Sequence, residues 1–68
     1  MDDNLIIWEQ FAVPGGKVFI GGVWTSTQDD DEPTDNIAYG SWLIRSYHGD
    51  VRMYDKTKGW WTIFSLAG

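Results

Sequence analysis

A polar, acidic stretch divides this 68-residue chain into two apolar parts. Residues 25–36, Thr-Ser-Thr-Gln-Asp-Asp-Asp-Glu-Pro-Thr-Asp-Asn, contain no apolar side chain except Pro33. Such a composition is typical of a solvent-exposed loop, and a connection this long is often functional or disordered. Neither residues 1–24 nor residues 37–68 are long enough to hold a hydrophobic core alone. We therefore expect a single domain over residues 1–68, with an acidic loop at 25–36.

Runs of β-branched and aromatic residues, bounded by turn residues, predict about five β-strands. The expected strands are 5–13, 17–24, 41–47, 51–54 and 60–66. The first could instead begin as a helix capped by Asp3 or Asn4, but its Ile, Trp, Phe and Val residues favour a strand. Short polar turns join the last three strands into an antiparallel meander. The predicted fold is all-β: a small antiparallel barrel or sandwich.

Several predicted strands carry apolar residues on both faces. Adjacent residues of a strand point to opposite faces, so Trp60 and Trp61 cannot share one core. Gly21-Gly22 indicates a bulge or sharp bend in the second strand. The expected faces of the last strand are Trp60, Thr62, Phe64, Leu66 and, opposite them, Trp61, Ile63, Ser65. A domain this small cannot bury both faces, so we expect a partner to cover an aromatic surface.

The charge is unevenly distributed along the chain. The net charge is −5, and residues 1–36 carry eight of the ten acidic residues but only Lys17 of the five basic ones. This asymmetry fits head-to-tail association, a charged face for a partner, or simply a solvated acidic loop. A negative chain is a poor partner for nucleic acid. We expect protein partners, most simply a homo-oligomer.

Two further features bear on location. No apolar stretch approaches the ~20 residues that a membrane-spanning helix needs, so no membrane partner is expected. The chain starts Met1-Asp2-Asp3, acidic where a signal peptide is basic, which argues against secretion by a signal peptide.

The residues that carry catalysis or bind metals are sparse. The chain has no cysteine, which excludes disulfides, thiolate zinc sites and a cysteine nucleophile. His48 is the only histidine and precedes Gly49 in a predicted turn, where we interpret it as an exposed turn residue. The carboxylates of residues 29–35 lack the alternating spacing of a calcium loop. We therefore expect no enzymatic activity, no metal and no cofactor.

Residues 49–60, Gly-Asp-Val-Arg-Met-Tyr-Asp-Lys-Thr-Lys-Gly-Trp, are similar to a short β-hairpin of bacteriophage tail-fibre and other virion structural proteins. That pattern reads roughly Gly-Asp-Leu-Tyr-Val-Tyr-Asp-Gly-Thr-x-x-Trp. Arg52 stands where it has an aromatic residue, and Lys56 where it has a turn glycine. Pro33 and Gly40-Ser41 resemble its lead-in. The positions that match are Gly49, Asp50, Tyr54, Asp55, Thr57 and Trp60. The resemblance covers about residues 33–61 and implies a virion structural or attachment component, often trimeric, with no catalytic residue.

The chain also resembles an SH3 domain in its length, its acidic loop and its Trp60-Trp61 pair after a turn. Only seven residues follow Trp61, far fewer than in that family, and the usual Ala-Leu-Tyr-Asp-Tyr opening is missing. The resemblance implies at most an SH3-like barrel and does not imply binding of proline-rich peptides.

The sequence thus predicts a non-enzymatic bacteriophage structural or interaction protein that assembles through aromatic strand faces, in a virion or the host cytoplasm. The alternative is a small acidic phage inhibitor or adaptor that binds a host protein through residues 29–35. The candidate contact residues of the first hypothesis are Trp42, Tyr54, Trp60 and Trp61. Those of the second are Asp29, Asp30, Asp31 and Glu32.

Overall fold

The computed structural model describes residues 4–27 and 32–66. They form five strands: β1 (Leu5–Val13), β2 (Lys17–Trp24), β3 (Trp42–Arg45), β4 (Asp50–Asp55) and β5 (Gly59–Ser65). The strands make one sheet in the order β1-β2-β3-β4-β5. The all-β class, the number of strands and the strand conformation of the N-terminal segment are therefore confirmed.

The sheet is mixed and open. Three neighbouring pairs are antiparallel, as expected, but β2 and β3 run parallel. Parallel neighbours need a long crossover, and the connection from residue 25 to residue 41 supplies it. The sheet does not close into a barrel, because β1 and β5 stand at its two edges.

The register of the strands separates the side chains into two faces. Residues paired across neighbouring strands point to the same side of a sheet, and successive residues of one strand alternate between sides. The strand residues with buried side chains all lie on one side, the covered face: Ile20, Trp24, Leu43 and Asp50. The apolar residues on the other side, the open face, are all half-buried or exposed: Ile6, Trp8, Phe11, Val13, Phe19, Val23, Trp42, Ile44, Val51, Met53, Trp61 and Phe64.

The connection between β2 and β3 covers one face of the sheet only. Ile37 packs on the core formed by Ile20, Trp24 and Leu43. The backbone of the connection is joined to the start of β2, where Val18 N donates to Asn36 O at 2.8 Å. All the fully buried apolar side chains of the strands thus lie beneath this connection.

Two irregularities shift the strand faces. The first lies between Ile7 and Glu9 of β1, so the extra residue is Trp8, opposite the Gly21-Gly22 pair. A β-carbon on Gly22 would collide with the carbonyl oxygen of Ile6, which explains the glycine there. The bulge expected at the glycine pair therefore occurs in this ladder, with its extra residue on the partner strand.

The second irregularity corrects the expected faces of β5. Val51 pairs with Phe64 and Arg52 with Thr62, which leaves Ile63 as an extra residue. Val51 and Arg52 point to opposite sides of the sheet, so Phe64 and Thr62 do too. The prediction that Phe64 shares a face with Trp60 and Thr62 is wrong, because strict alternation fails at a bulge.

Candidate interaction surface

The open face consists of two complete rows of side chains and part of a third. The first row crosses all five strands and is apolar throughout: Ile6, Val23, Ile44, Val51 and Phe64. The second row crosses them one step away: Glu9, Gly21, Trp42, Met53 and Trp61. Phe11 and Phe19 continue the surface with stacked rings whose centroids are 4.8 Å apart. A largely apolar surface rich in aromatic residues thus extends across the whole sheet.

Several of these side chains are largely in contact with solvent. Trp8 is 62% exposed and Phe64 60%, while Ile6 and Phe11 are each about half exposed. Single exposed apolar residues are common on protein surfaces, but a contiguous patch of this kind marks an interaction site.

Trp42 lies at the centre of the open face. Its ring lies across Gly21, and its Nε1 donates a hydrogen bond to Glu9 Oε1 at 3.2 Å. Trp8 packs edge-on against it, with ring centroids 6.2 Å apart. These contacts hold a large aromatic ring across β1, β2 and β3.

Trp61 lies at the β5 edge of the same row. The Nζ of Lys58 is 4.1 Å from its ring centroid, a cation–π contact. Its indole Nε1 is buried and has no hydrogen-bond partner among the described residues. The row therefore has an acid at its β1 end and a base at its β5 end.

The structure divides the four predicted aromatic contact residues between the two faces. Trp42 and Trp61 lie on the open face, whereas Tyr54 and Trp60 lie on the covered face. Trp60 packs against the core and donates from Nε1 to Pro33 O at 2.8 Å. Tyr54 stacks between Trp60 and the exposed Tyr39, with both centroid distances 5.2 Å. The four residues therefore do not form one surface.

A cavity of about 380 Å³ adjoins this aromatic stack. Thr34, Arg52, Tyr54 and Trp60 are among the residues that line it. Two nitrogens of the Arg52 guanidinium in its wall are engaged, since NH2 donates to Trp60 O at 2.6 Å and NH1 to Glu32, whereas the buried Nε has no hydrogen-bond partner among the described residues. The polar groups of the cavity thus mainly tie the connection to the sheet.

Glu32 is a structural residue in this fold. It is only 3% exposed, and its carboxylate lies 3.1 Å from Arg52 NH1 and 3.8 Å from Arg45 NH1. Ser26 is buried as well, so the described parts of the predicted acidic loop are not uniformly exposed. Glu32 therefore does not expose its carboxylate to solvent. Asp29, Asp30 and Asp31 lie outside the described residues.

A second ion pair adjoins the first. Arg45 donates from Nε and NH2 to the two carboxylate oxygens of Asp50, at 2.6 and 2.5 Å. Thr62 Oγ1 donates to the same carboxylate at 3.2 Å. The hydrogen bond from Arg45 is the main reason that the pKa of Asp50 lies below its usual value, against the opposing effect of burial. The carboxylate is held ionised beside two arginines.

Two of the residues behind the virion resemblance lie at turns: Gly49 precedes β4, and Asp55 ends β4 before the turn to β5. Gly49 and Gly59 have positive φ angles of 75° and 70°. Asp55 accepts hydrogen bonds from the backbone N–H groups of Thr57 at 2.9 Å and Lys58 at 3.1 Å, which lowers its pKa. These contacts account for the turn chemistry of this motif.

Sequence reasoning missed most of the open face. It did not name Ile6, Trp8, Phe11 or Phe64 as contact residues. The signal was present in β1, which has apolar residues on both sides and yet stands at a sheet edge. The bulges at Trp8 and Ile63 hid which of these residues share a face.

His48 is half-buried, not exposed as expected, and its ring meets Tyr47 edge-on at 5.5 Å. Within residues 4–27 and 32–66, no group of three or more metal-ligating side chains occurs, and no helix is long and apolar enough to cross a bilayer.

Comparisons with protein-family models, with curated proteins and with solved structures found no match to this chain.

Proposed function

We propose that this chain is a non-enzymatic structural protein that assembles into an oligomer through the open face. The observation that carries the proposal is the contrast between the two faces of one sheet. The β2–β3 connection covers the centre of one of them, where Ile20, Trp24 and Leu43 are buried, while Trp8, Phe11 and Phe64 remain half or more exposed on the other. Apolar area removed from water stabilises an assembly by about 25 cal/mol per Å², so a contiguous aromatic face favours association.

The proposal includes a place in a bacteriophage particle, as a virion or tail component. Its support is the similarity of residues 49–60 to the hairpin of virion structural proteins, together with an aromatic face suited to assembly. The alternative of an acidic inhibitor is less well supported. Glu32, one of the four carboxylates assigned to it, is occupied by Arg45 and Arg52.

The experiment is light scattering on a sizing column across a dilution series, with one substitution on each side of the sheet. Phe64→Ser removes a ring from the open face, and Tyr39→Ser removes one of similar exposure, 60% against 55%, from the other side. Loss of one interface ring costs ~2 kcal/mol, or about thirtyfold in the dissociation constant. We expect the dissociation constant to rise by about this factor for Phe64→Ser and to change little for Tyr39→Ser.

Circular dichroism of both variants provides the check that the sheet is retained. A wild-type chain that remains monomeric at all concentrations would overturn the proposed assembly. Equal weakening by the two substitutions would show that association does not depend on the open face.

A further inference from the structure

We infer that the occupant of the open face is a second copy of this chain, packed face to face about a two-fold axis that runs along β3. This inference rests on the proposed assembly through the open face and specifies its geometry. The size of the surface, its extension over all five strands and the order of its charges support this geometry.

The size of the surface suits a stable dimer. Trp8, Phe11 and Phe64 each expose more than half of their surface, and Ile6 exposes about half. At ~150–250 Å² for a buried aromatic side chain, these residues offer on the order of 400 Å². The half-buried residues of the two complete rows add further area. The total area of the open face then approaches the ~800 Å² per partner of a standard interface.

The shape of the surface suits another sheet. Two sheets that pack face to face lie ~10 Å apart with their strands within ~30° of one another. The two cross-strand rows extend over all five strands, so an occupant must itself be broad. A second copy offers such a surface, and the pairing is isologous because both partners use the same residues.

The charges of the open face are arranged symmetrically about β3 but with opposite signs. Glu9 lies on β1, and Lys58 is held over Trp61 of β5, at the other end of the same row. Closer to the centre, the alternation places Lys17 of β2 and Asp55 of β4 on the open face. From β1 to β5 the signs therefore run minus, plus, minus, plus, and the open-face residues of β3 between the two pairs are uncharged.

A two-fold axis along β3 exchanges the two sides of the sheet. It places Glu9 of one copy against Lys58 of the second copy. Lys17 then faces the strand that carries Asp55 of the second copy, offset by one two-residue step along the strands. Trp42 and Ile44, both on β3, meet their own counterparts at the axis. Rotation about an axis across the strands would instead set Glu9 against Glu9 and Lys58 against Lys58. Electrostatic complementarity thus selects one orientation.

Charge exchange between Glu9 and Lys58 tests this orientation. Glu9→Lys alone sets two lysines together at both symmetric contacts, and Lys58→Glu alone sets two glutamates together. We expect each to raise the dimer dissociation constant about tenfold, measured by sedimentation. An equimolar mixture of the two variants restores opposite charges at both contacts, and so does Glu9→Lys/Lys58→Glu in one chain.

The mixture is measured by native mass spectrometry, with one variant carrying a short mass tag. We expect the mixed dimer to exceed the statistical half of all dimers. Asp35→Lys, an exposed charge reversal in the β2–β3 connection, serves as the control and should leave association unchanged. Far-ultraviolet circular dichroism confirms that each variant keeps its sheet.

The outcomes separate this inference from the proposed function. A wild-type chain that remains monomeric overturns both the face-to-face dimer and the proposed assembly. A dimer that weakens with Phe64→Ser but shows no preference for the mixed pair overturns only the two-fold orientation. A stable trimer or higher oligomer likewise overturns the face-to-face dimer while leaving assembly through the open face in place.

Discussion

The ring of Trp42 occupies the space that a side chain on Gly21 would need. Its Cε2 lies 2.5 Å from the point where a β-carbon of residue 21 would stand, on the neighbouring parallel strand. The Nε1 of the same indole donates a hydrogen bond to Glu9 of β1. Glycine at position 21 thus allows one aromatic side chain to span three strands at the centre of the open face.

Gly21→Ala should therefore destabilise the fold by forcing Trp42 out of position. Overpacking of this kind costs about 1–3 kcal/mol, measured as the free energy of unfolding in urea. The same change made in a Trp42→Ala background should be close to neutral, because the colliding ring is gone. An equal cost in both backgrounds would show that the ring does not cause the strain.

Gly22→Ala is the matched control for this pair. Its β-carbon would meet the carbonyl oxygen of Ile6, which is backbone and cannot turn away. Its cost should persist when Trp42 is replaced by alanine.

The strands could be predicted because their signals are local. β-Branched and aromatic runs between Gly, Pro and Asp turns identified all five, including the β4–β5 hairpin. The direction of β3 could not be predicted, because it depends on how the connection from residue 25 to residue 41 crosses the sheet. The bulge at Ile63 has no composition signal, and a single extra residue reverses the faces beyond it.

The candidate site was predictable only in part. Trp42 and Trp61 lie on the open face, as a partner-binding role requires. Trp60 does not, because the connection returns over it and supplies a hydrogen-bond acceptor at Pro33. The acidic neighbours of Glu32 predict an exposed loop residue. In the fold, however, its carboxylate pairs with Arg45 and Arg52, which lie 13 and 20 positions away in the sequence.

Glu32→Gln should destabilise the protein strongly. The substitution leaves the Arg45 and Arg52 guanidiniums with less compensation in a mostly buried cluster, and breaking such a pair costs ~3 kcal/mol or more. Asp35→Asn, in the same connection but exposed, should change stability by less than about 0.5 kcal/mol. Urea unfolding of both variants measures the difference, and similar midpoints would contradict a structural role for Glu32.

Asp50 should contribute a pH-dependent part of the stability. Its pKa is lowered in the folded protein, chiefly by the hydrogen bond from Arg45, so its contribution is present above the unfolded value of 3.8 and is lost as the pH falls through the folded value. At neutral pH, Asp50→Asn should be less stable than the wild type by about 2 kcal/mol. This difference in the free energy of unfolding, measured in urea titrations, should become smaller below pH 3.8. A gap that stays constant with pH would rule out Asp50 as the source.

Ser41 should be essential to the attachment of the connection. It is fully buried; its Oγ accepts a hydrogen bond from Ile20 N at 3.0 Å and donates one to Ala38 O at 2.8 Å. Ser41→Ala removes the acceptor of the Ile20 amide, whereas Ala38 O keeps the backbone N–H of residue 41 at 3.3 Å. An unpaired buried group costs about 1–3 kcal/mol. Ser46→Ala, at an exposed turn position, should have almost no effect.

Hydrogen exchange adds a readout specific to this contact. The amide of Ile20 should lose protection in Ser41→Ala by more than the global loss of stability explains, because its acceptor is gone. If the amide instead exchanges at the rate set by global unfolding, the Ser41 hydroxyl is not what holds β2 to the connection.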